Sequence, residues 1–234
     1  MALAPHARFT DRRHGDLRID GDPAALAARR AALHPAPWTW LRQEHGDRVV
    51  VVTRPGEHAG AAADAAVTTT AGAPIAVHTA DCAPVLLVGD GAVGVAHAGW
   101  RGLVAGVVEA TAATMADLGH PPRAATLGGC IRARCYEFGE ADLARVAARY
   151  GPGVAATTAW GTPALDVAAA VRAACDRLGV PLDDLGICTA CSGDHHSHRA
   201  RADRGRQALV AWLAEAGPDP DPVPGVPVPR SADE

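Results

Sequence analysis

The amino-acid sequence predicts a single α+β domain in which mixed β-sheets are flanked by helices, and three observations carry that expectation. Its 234 residues are 48% hydrophobic, enough for one core that buries roughly 70 to 75% of the unfolded surface. Short β-branched runs are interspersed with longer alanine- and leucine-rich stretches of helical period. No internal repeat or linker divides residues 1–216, whereas residues 217–234 hold six of the 18 prolines and read as an extended or disordered tail.

After an opening segment over 8–16, the stretch from Pro23 to Leu33 suits a short helix that Asp22 is placed to cap. A second element ends at Leu41 and Gln43, and the valines within 48–53 have the length and branching of a buried strand. The small residues of 63–70 lead into three apolar runs, 74–77, 85–88 and 92–96, which turn residues separate and which read as strands. Beyond Gly99 and Gly102 the period becomes that of a helix ending before Gly119, so a strand-to-helix transition lies between His97 and Leu103. Further helices are expected over 139–149, over 167–178 and, last, over 205–214.

The formal net charge of -4 supplies no broad cationic field, so neither nucleic acid nor an acidic membrane is expected as a partner; a small-molecule substrate is, with the protein a monomer or homodimer. Residues 1–20 lack the apolar segment of a secretory signal, and no long apolar run could span a bilayer, which predicts a cytoplasmic protein. In that compartment six cysteines (Cys82, Cys130, Cys135, Cys175, Cys188 and Cys191) point to thiols and metal ligands rather than disulfides.

The chemistry concentrates around Cys82 and His97, in a segment that reads as a β-hairpin. With Gly89 and Asp90 as a two-residue turn, these side chains lie directly across from each other, with Cβ atoms roughly 4.5 to 5.5 Å apart. A three-residue loop shifts the pairing by one residue and an Asp90-Gly91 turn by two, yet both leave the side chains near neighbours. A thiolate and an imidazole suit zinc, and a third ligand leaves one tetrahedral position for water or substrate. His45, just ahead of its own strand, is the best third candidate.

Three motifs carry a family resemblance: Gln43-Glu44-His45-Gly46; Thr79-Ala80-Asp81-Cys82 with Pro84-Val85-Leu86; and His97-Ala98-Gly99-Trp100-Arg101-Gly102. Supporting them are Arg8-Phe9-Thr10, Ala63-Asp64-Ala65, Cys135-Tyr136-Glu137-Phe138-Gly139, Cys188-Thr189 and Gly205-Arg206-Gln207. Over residues 8–213 the chain resembles the bacterial laccase-domain or YfiH family, also called multicopper polyphenol oxidases and regarded as purine nucleoside phosphorylases. The resemblance implies a YfiH-like layered α/β sandwich and a zinc site at His45, Cys82 and His97, with copper as the older assignment. It also implies phosphate-dependent cleavage of adenosine, inosine, guanosine and methylthioadenosine, together with adenosine deamination.

Within that frame His45, Cys82 and His97 are the catalytic candidates and Gln43, Arg101 and Arg199 the substrate-binding ones. Arg101 opens a helix, where free N–H groups favour an anion such as phosphate. Gln43 offers a donor and an acceptor to a base edge. Asp81 points away from the Cys82 face of an ideal strand and is expected to be a supporting or structural carboxylate.

Two departures from the family pattern stand out. His195-His196-Ser197-His198-Arg199 replaces a Phe-Phe-Ser-Tyr-Arg stretch, retaining Arg199 but not the aromatic pair, and Gly128-Gly129-Cys130-Ile131-Arg132 puts a charge where glycine is usual. Cys188, Cys191 and the three nearby histidines invite a second metal site, whereas Cys130, Cys135 and Cys175 read as small buried side chains. The rival functions are a copper-dependent phenol oxidase, a cysteine hydrolase acting on cell-wall peptides with Cys82 as nucleophile and His97 as base, and a non-catalytic binding protein.

Overall fold

The computed structural model describes residues 3–215, and the proline-rich tail lies outside the described residues. The chain begins with β1 (Leu3–Phe9), α1 (Pro23–Leu33), β2 (Thr39–Arg42), β3 (Val49–Val52), β4 (Ala61–Ala62), β5 (Ala65–Thr68) and β6 (Ile75–Thr79). The hairpin β7 (Ala83–Gly89) and β8 (Ala92–Ala98) follows, then α2 (Trp100–Ala105), α3 (Val107–Asp117) and β9 (Pro122–Leu127). The remainder is α4 (Glu140–Tyr150), β10 (Ala155–Thr157), β11 (Pro163–Leu165), α5 (Val167–Leu178), β12 (Leu182–Asp184), α6 (His198–Arg201) and β13 (Gln207–Glu215).

Two large mixed sheets result, one ordered β1-β13-β6-β2-β4 and the other β12-β9-β7-β8-β5-β3, beside a small β10-β11 ribbon. They pack face to face through Val50, Val52, Leu86, Val93 and Val95 on one side and Ile75, Val77, Leu209 and Leu213 on the other. The opposite face of the six-stranded sheet is covered by α2 to α5, with Val85, Leu87, Val108, Met115 and Val171 in one core. Leu26 of α1, Leu17 and Trp38 cover the outer face of the five-stranded sheet at Ala76, Ala208 and Val210. Four layers are therefore stacked, helix, sheet, sheet, helix, which explains why the central strands carry apolar residues on both faces.

Most expected elements are present, and α1 has the expected bounds, with the Asp22 side chain accepting from the Ala25 N–H. The hairpin turn is Asp90-Gly91, so Pro84 pairs with His97 and Ala83 with Ala98. The long helix after Gly99 is two helices, because Gly106 has φ 103 and ends the first after six residues. The helix expected over 205–214 is instead the strand β13, bonded to β1 on one side and to β6 on the other. Its run Ala-Leu-Val-Ala-Trp-Leu is apolar throughout because both faces of a central strand are covered; over so short a segment periodicity cannot separate that from a buried helix.

Candidate metal centre

Residue alternation along β8 puts His97 on the face of Val93 and Val95, between the two sheets, and His97 is 3% exposed. Cys82 lies one residue ahead of β7, and the hairpin register brings it beside Gly99. His45 reaches the same point from the turn between β2 and β3, with its Nε2 3.9 Å from Cys82 Sγ. Its ring meets that of His97 edge to face, the centroids 4.8 Å apart. One ligand atom from each of the three residues lies within 4.8 Å of the other two. Zinc bonded tetrahedrally to sulfur and nitrogen holds those atoms roughly 3.6 Å apart, so small side-chain movements close the set on one cation.

Gly99 is part of the fit. A Cβ there would stand 2.8 Å from His45 Cδ2 and 3.1 Å from Cys82 Sγ, inside the space that the two ligands share. The backbone of Gly99 (φ -70, ψ 162) would accept any residue, so the requirement for glycine is steric.

Asp64 organises both histidines. Its carboxylate accepts the backbone N–H groups of Glu44, His45 and Gly46 at 3.1, 2.9 and 2.8 Å, and His97 Nδ1 at 2.8 Å. Those charge-assisted bonds offset the left-handed conformation of His45 (φ 61), which costs an L-residue roughly 1 to 2 kcal/mol. With Nδ1–H committed to Asp64, the lone pair of His97 Nε2 is the one available to a metal, the arrangement in which a carboxylate fixes the tautomer of a ligating histidine. Burial pushes the Asp64 carboxyl up, but the His97 ring and the backbone N–H groups outweigh it and hold the group below the usual carboxylate range.

In the sequence Asp64 stands only within the short match Ala63-Asp64-Ala65, with no role of its own assigned to it. The signal was present: a lone carboxylate inside Ala61-Ala62-Ala63-Asp64-Ala65-Ala66 enters a buried strand and must find donors there. Electrostatics inside the triad are reciprocal. Burial raises the Cys82 thiol, yet the charges and hydrogen bonds of His97 and His45 bring it down to about 6. Burial lowers the His97 imidazole, and Cys82 together with Asp64 lifts it to about 9. Without a cation each group therefore favours the charged form of the other.

The three ligands line a cavity of about 640 Å³ between the β2 and β6 ends and the 202–206 segment, with Arg18, Arg42, Arg204 and Arg206 on its walls. Gln43 lines it too, its amide clamped to both backbone groups of His78 at 2.8 and 2.7 Å; one N–H and one oxygen lone pair remain for a ligand. Arg101 is exposed, its guanidinium 4.3 Å from the Trp100 ring centre, on the six-residue α2. Arg199 lies over Tyr136 and donates to the Glu137 carbonyl. Asp81 leaves the strand at φ 100 and accepts from Thr189 Oγ1, Ser197 Oγ and the Arg199 N–H, tying the 189–199 segment to the residue beside Cys82.

A second cluster differs from the expected one. Cys188 and Cys191 are joined by Cys135, which is half-buried at the surface rather than packed in the core; Cys130 and Cys175 are the buried thiols. The histidines stay out: His195 Nδ1 pairs with Ser192 Oγ, His196 packs over Gly205, and His198 faces the cavity.

Comparison with known proteins agrees with this architecture. Residues 20–214 match the family model described as multi-copper polyphenol oxidoreductase laccase. A purine nucleoside phosphorylase of Streptomyces coelicolor is 43% identical over 231 residues, covering 89% of this chain and 95% of that one. One from Mycobacterium bovis is 39% identical over 207 residues, covering 83% and 82%. A crystal structure of a Neisseria meningitidis protein superposes with a TM-score of 0.79 at 28% identity, covering 90% of this chain and 95% of that one. The YfiH protein of Bacillus licheniformis has the same fold, with a TM-score of 0.78 at 22% identity and coverage of 89% and 92%. No helix among the described residues is long and apolar enough to cross a membrane. The fold thus has its counterpart in known proteins, and the chain belongs to the laccase-like YfiH family, whose curated relatives are named purine nucleoside phosphorylases.

Proposed function

We propose that this protein is a zinc-dependent cytoplasmic purine nucleoside phosphorylase acting on adenosine, inosine, guanosine and methylthioadenosine, and that it also deaminates adenosine. One observation carries the reading: His45, Cys82 and His97 converge on the wall of a cavity of about 640 Å³, within the size range of small-molecule sites, and four arginines surround the same space. Those three residues would hold a zinc ion, which would supply Lewis-acid stabilisation of negative charge developing in the cavity.

The chain's own groups supply the rest. Asp64 orients His45 and His97, and Gln43 presents its remaining donor and acceptor to the base edge. Phosphate is held by guanidinium groups, with Arg101 and Arg199 as candidates beside Arg204, which lines the cavity and has no ion-pair partner among the described residues. In phosphorolysis a phosphate oxygen bonds to ribose C1′ as the bond from C1′ to the purine nitrogen breaks. Its electron pair leaves with the base, which takes up a proton. Incubating the purified protein with adenosine, inosine and methylthioadenosine, with and without phosphate, tests this: base and the matching sugar 1-phosphate (ribose 1-phosphate, or its 5-methylthio counterpart from methylthioadenosine) should form in equal amounts only with phosphate. An absence of base release from every nucleoside would overturn the assignment.

A second reading has one observation in its favour, the lowered Cys82 thiol beside the raised His97 imidazole, which is the pairing a cysteine hydrolase uses. Iodoacetamide capture of Cys82 in the metal-loaded protein would support it, and protection by metal would exclude it. Phenol oxidation with copper is separated by metal analysis and visible absorbance, since stoichiometric copper with a strong blue band is expected only for that chemistry.

A further inference from the structure

The three thiols away from the cavity form a site of their own. Cys135 ends the single turn Ala133–Cys135, while Cys188 and Cys191 belong to one Cys-x-x-Cys turn closed by the Ser192 N–H donating to the Cys188 carbonyl at 2.9 Å. Their sulfurs all lie within 4.8 Å of one another, and Cys135 Sγ is 3.2 Å from Cys191 Sγ. In a tetrahedral zinc site thiolate sulfurs stand roughly 3.8 Å apart, so one ion reaches all three with small adjustments.

We propose that Cys135, Cys188 and Cys191 bind a second, thiophilic closed-shell cation, zinc or copper(I), which clamps the 188–201 segment to the turn at residue 135. The backbone around Cys188 is arranged for a thiolate. The backbone N–H groups of Arg132, Ala190 and Cys191 face its sulfur. Such N–H groups converging on the first sulfur of a Cys-x-x-Cys turn lower the cost of gathering three thiolates. Metal binding replaces the remaining thiol protons, which pass to solvent. Cys191 is exposed, so an ion can enter from solvent and water can take the open position. A Cys135–Cys191 disulfide would leave unused the one sulfur that the backbone has prepared.

The clamp acts on a segment that matters. Thr189 Oγ1, Ser197 Oγ and the Arg199 N–H all converge on Asp81, beside Cys82, and the Arg201 guanidinium gathers the carbonyls of Thr189, Ala190 and His195. Fixing Cys188 and Cys191 therefore fixes the lid of hydrogen bonds behind the first centre, without contributing a ligand to it.

Cobalt(II) is the probe. The full-length protein, stripped with a chelator under reducing conditions and reloaded, should bind about two ions per chain, and Cys191→Ser or Cys135→Ser about one. Sulfur-to-cobalt charge-transfer absorption per ion should be about three times stronger in Cys82→Ser, which keeps the three-thiolate site, than in Cys191→Ser, which keeps the single thiolate of Cys82. Metal analysis of the protein as isolated distinguishes zinc from copper, and either at a second equivalent supports the site. One ion per chain in the wild type, unchanged by Cys191→Ser, would overturn the proposal. So would a Cys135–Cys191 disulfide found by mass spectrometry in protein purified without oxidant.

Discussion

The two clusters have the same size and opposite surroundings. His97 stands between the sheets, met there by Cys82 from the start of β7 and by His45 from the β2–β3 turn, braced by a buried carboxylate and opening on a cavity; Cys135, Cys188 and Cys191 sit on turns at the surface, with backbone N–H groups around Cys188 as their support. Two neutral imidazoles and one thiolate leave a dication with residual positive charge, suited to polarising a substrate. Three thiolates more than cancel it, which suits a structural tie. The difference teaches that the character of a ligand set follows from the charge it leaves on the ion and from what the ligands face, more than from how closely they gather.

The comparison breaks most sharply at Gly99. Gly99→Ala inserts a methyl group between His45 and Cys82 and should weaken metal binding at the first centre by about 100-fold or more while the thiol cluster keeps its ion; calorimetry with each metal checks it. Next comes Asp64→Asn, which removes the charge that orients both histidines: a loss of about 10- to 100-fold in metal affinity and a similar fall in base release are expected, again confined to the first centre. Asp81→Ala addresses what links the clusters. It leaves the buried hydroxyls of Thr189 and Ser197 without their acceptor, costing about 3 kcal/mol and lowering Tm by roughly 6 to 12 °C, as thermal unfolding will measure.

The pH dependence of thiol reactivity sharpens the contrast further. In metal-free protein the Cys82 thiolate persists down to about pH 6, because its folded value lies below the ordinary 9.0, so alkylation at Cys82 should rise through pH 6 and level off above it. Cys135, pushed up to about 12 by burial and by its sulfur neighbours, should stay unreactive over the same range; peptide mass mapping after brief iodoacetamide treatment distinguishes them. The smallest effect is expected for Arg101→Ala, which should raise the phosphate KM about 10-fold with kcat little changed, the pattern of lost ground-state binding. An unchanged KM would remove Arg101 from that role.

Much of this was legible in the chain itself, where local chemistry and pattern agree. Asp22 followed by Pro23 announces α1, and the hairpin reading brings Cys82 and His97 together in each of its three registers. The register itself was not legible, because Gly89-Asp90 and Asp90-Gly91 are both good two-residue turns and only the packing of β7 against β9 and of β8 against β5 chooses between them. Nor could spacing show that Cys135 joins Cys188 and Cys191 from 53 residues upstream, since that meeting depends on the parallel bridge between Cys130 and Cys188. β13 reads as a helix from sequence alone for a related reason: its neighbours, β1 and β6, lie more than a hundred residues upstream.

That last strand has a consequence for biosynthesis. Among the described residues β1 has no sheet neighbour except β13, so during synthesis it must wait about two hundred residues for its partner. The inter-sheet layer cannot close before then, and until β13 emerges the apolar β6 lacks its neighbour on that side, a state open to aggregation. His198, Arg204 and Arg206 directly precede β13, so the cavity gains its outer wall at the same late stage as the inter-sheet layer.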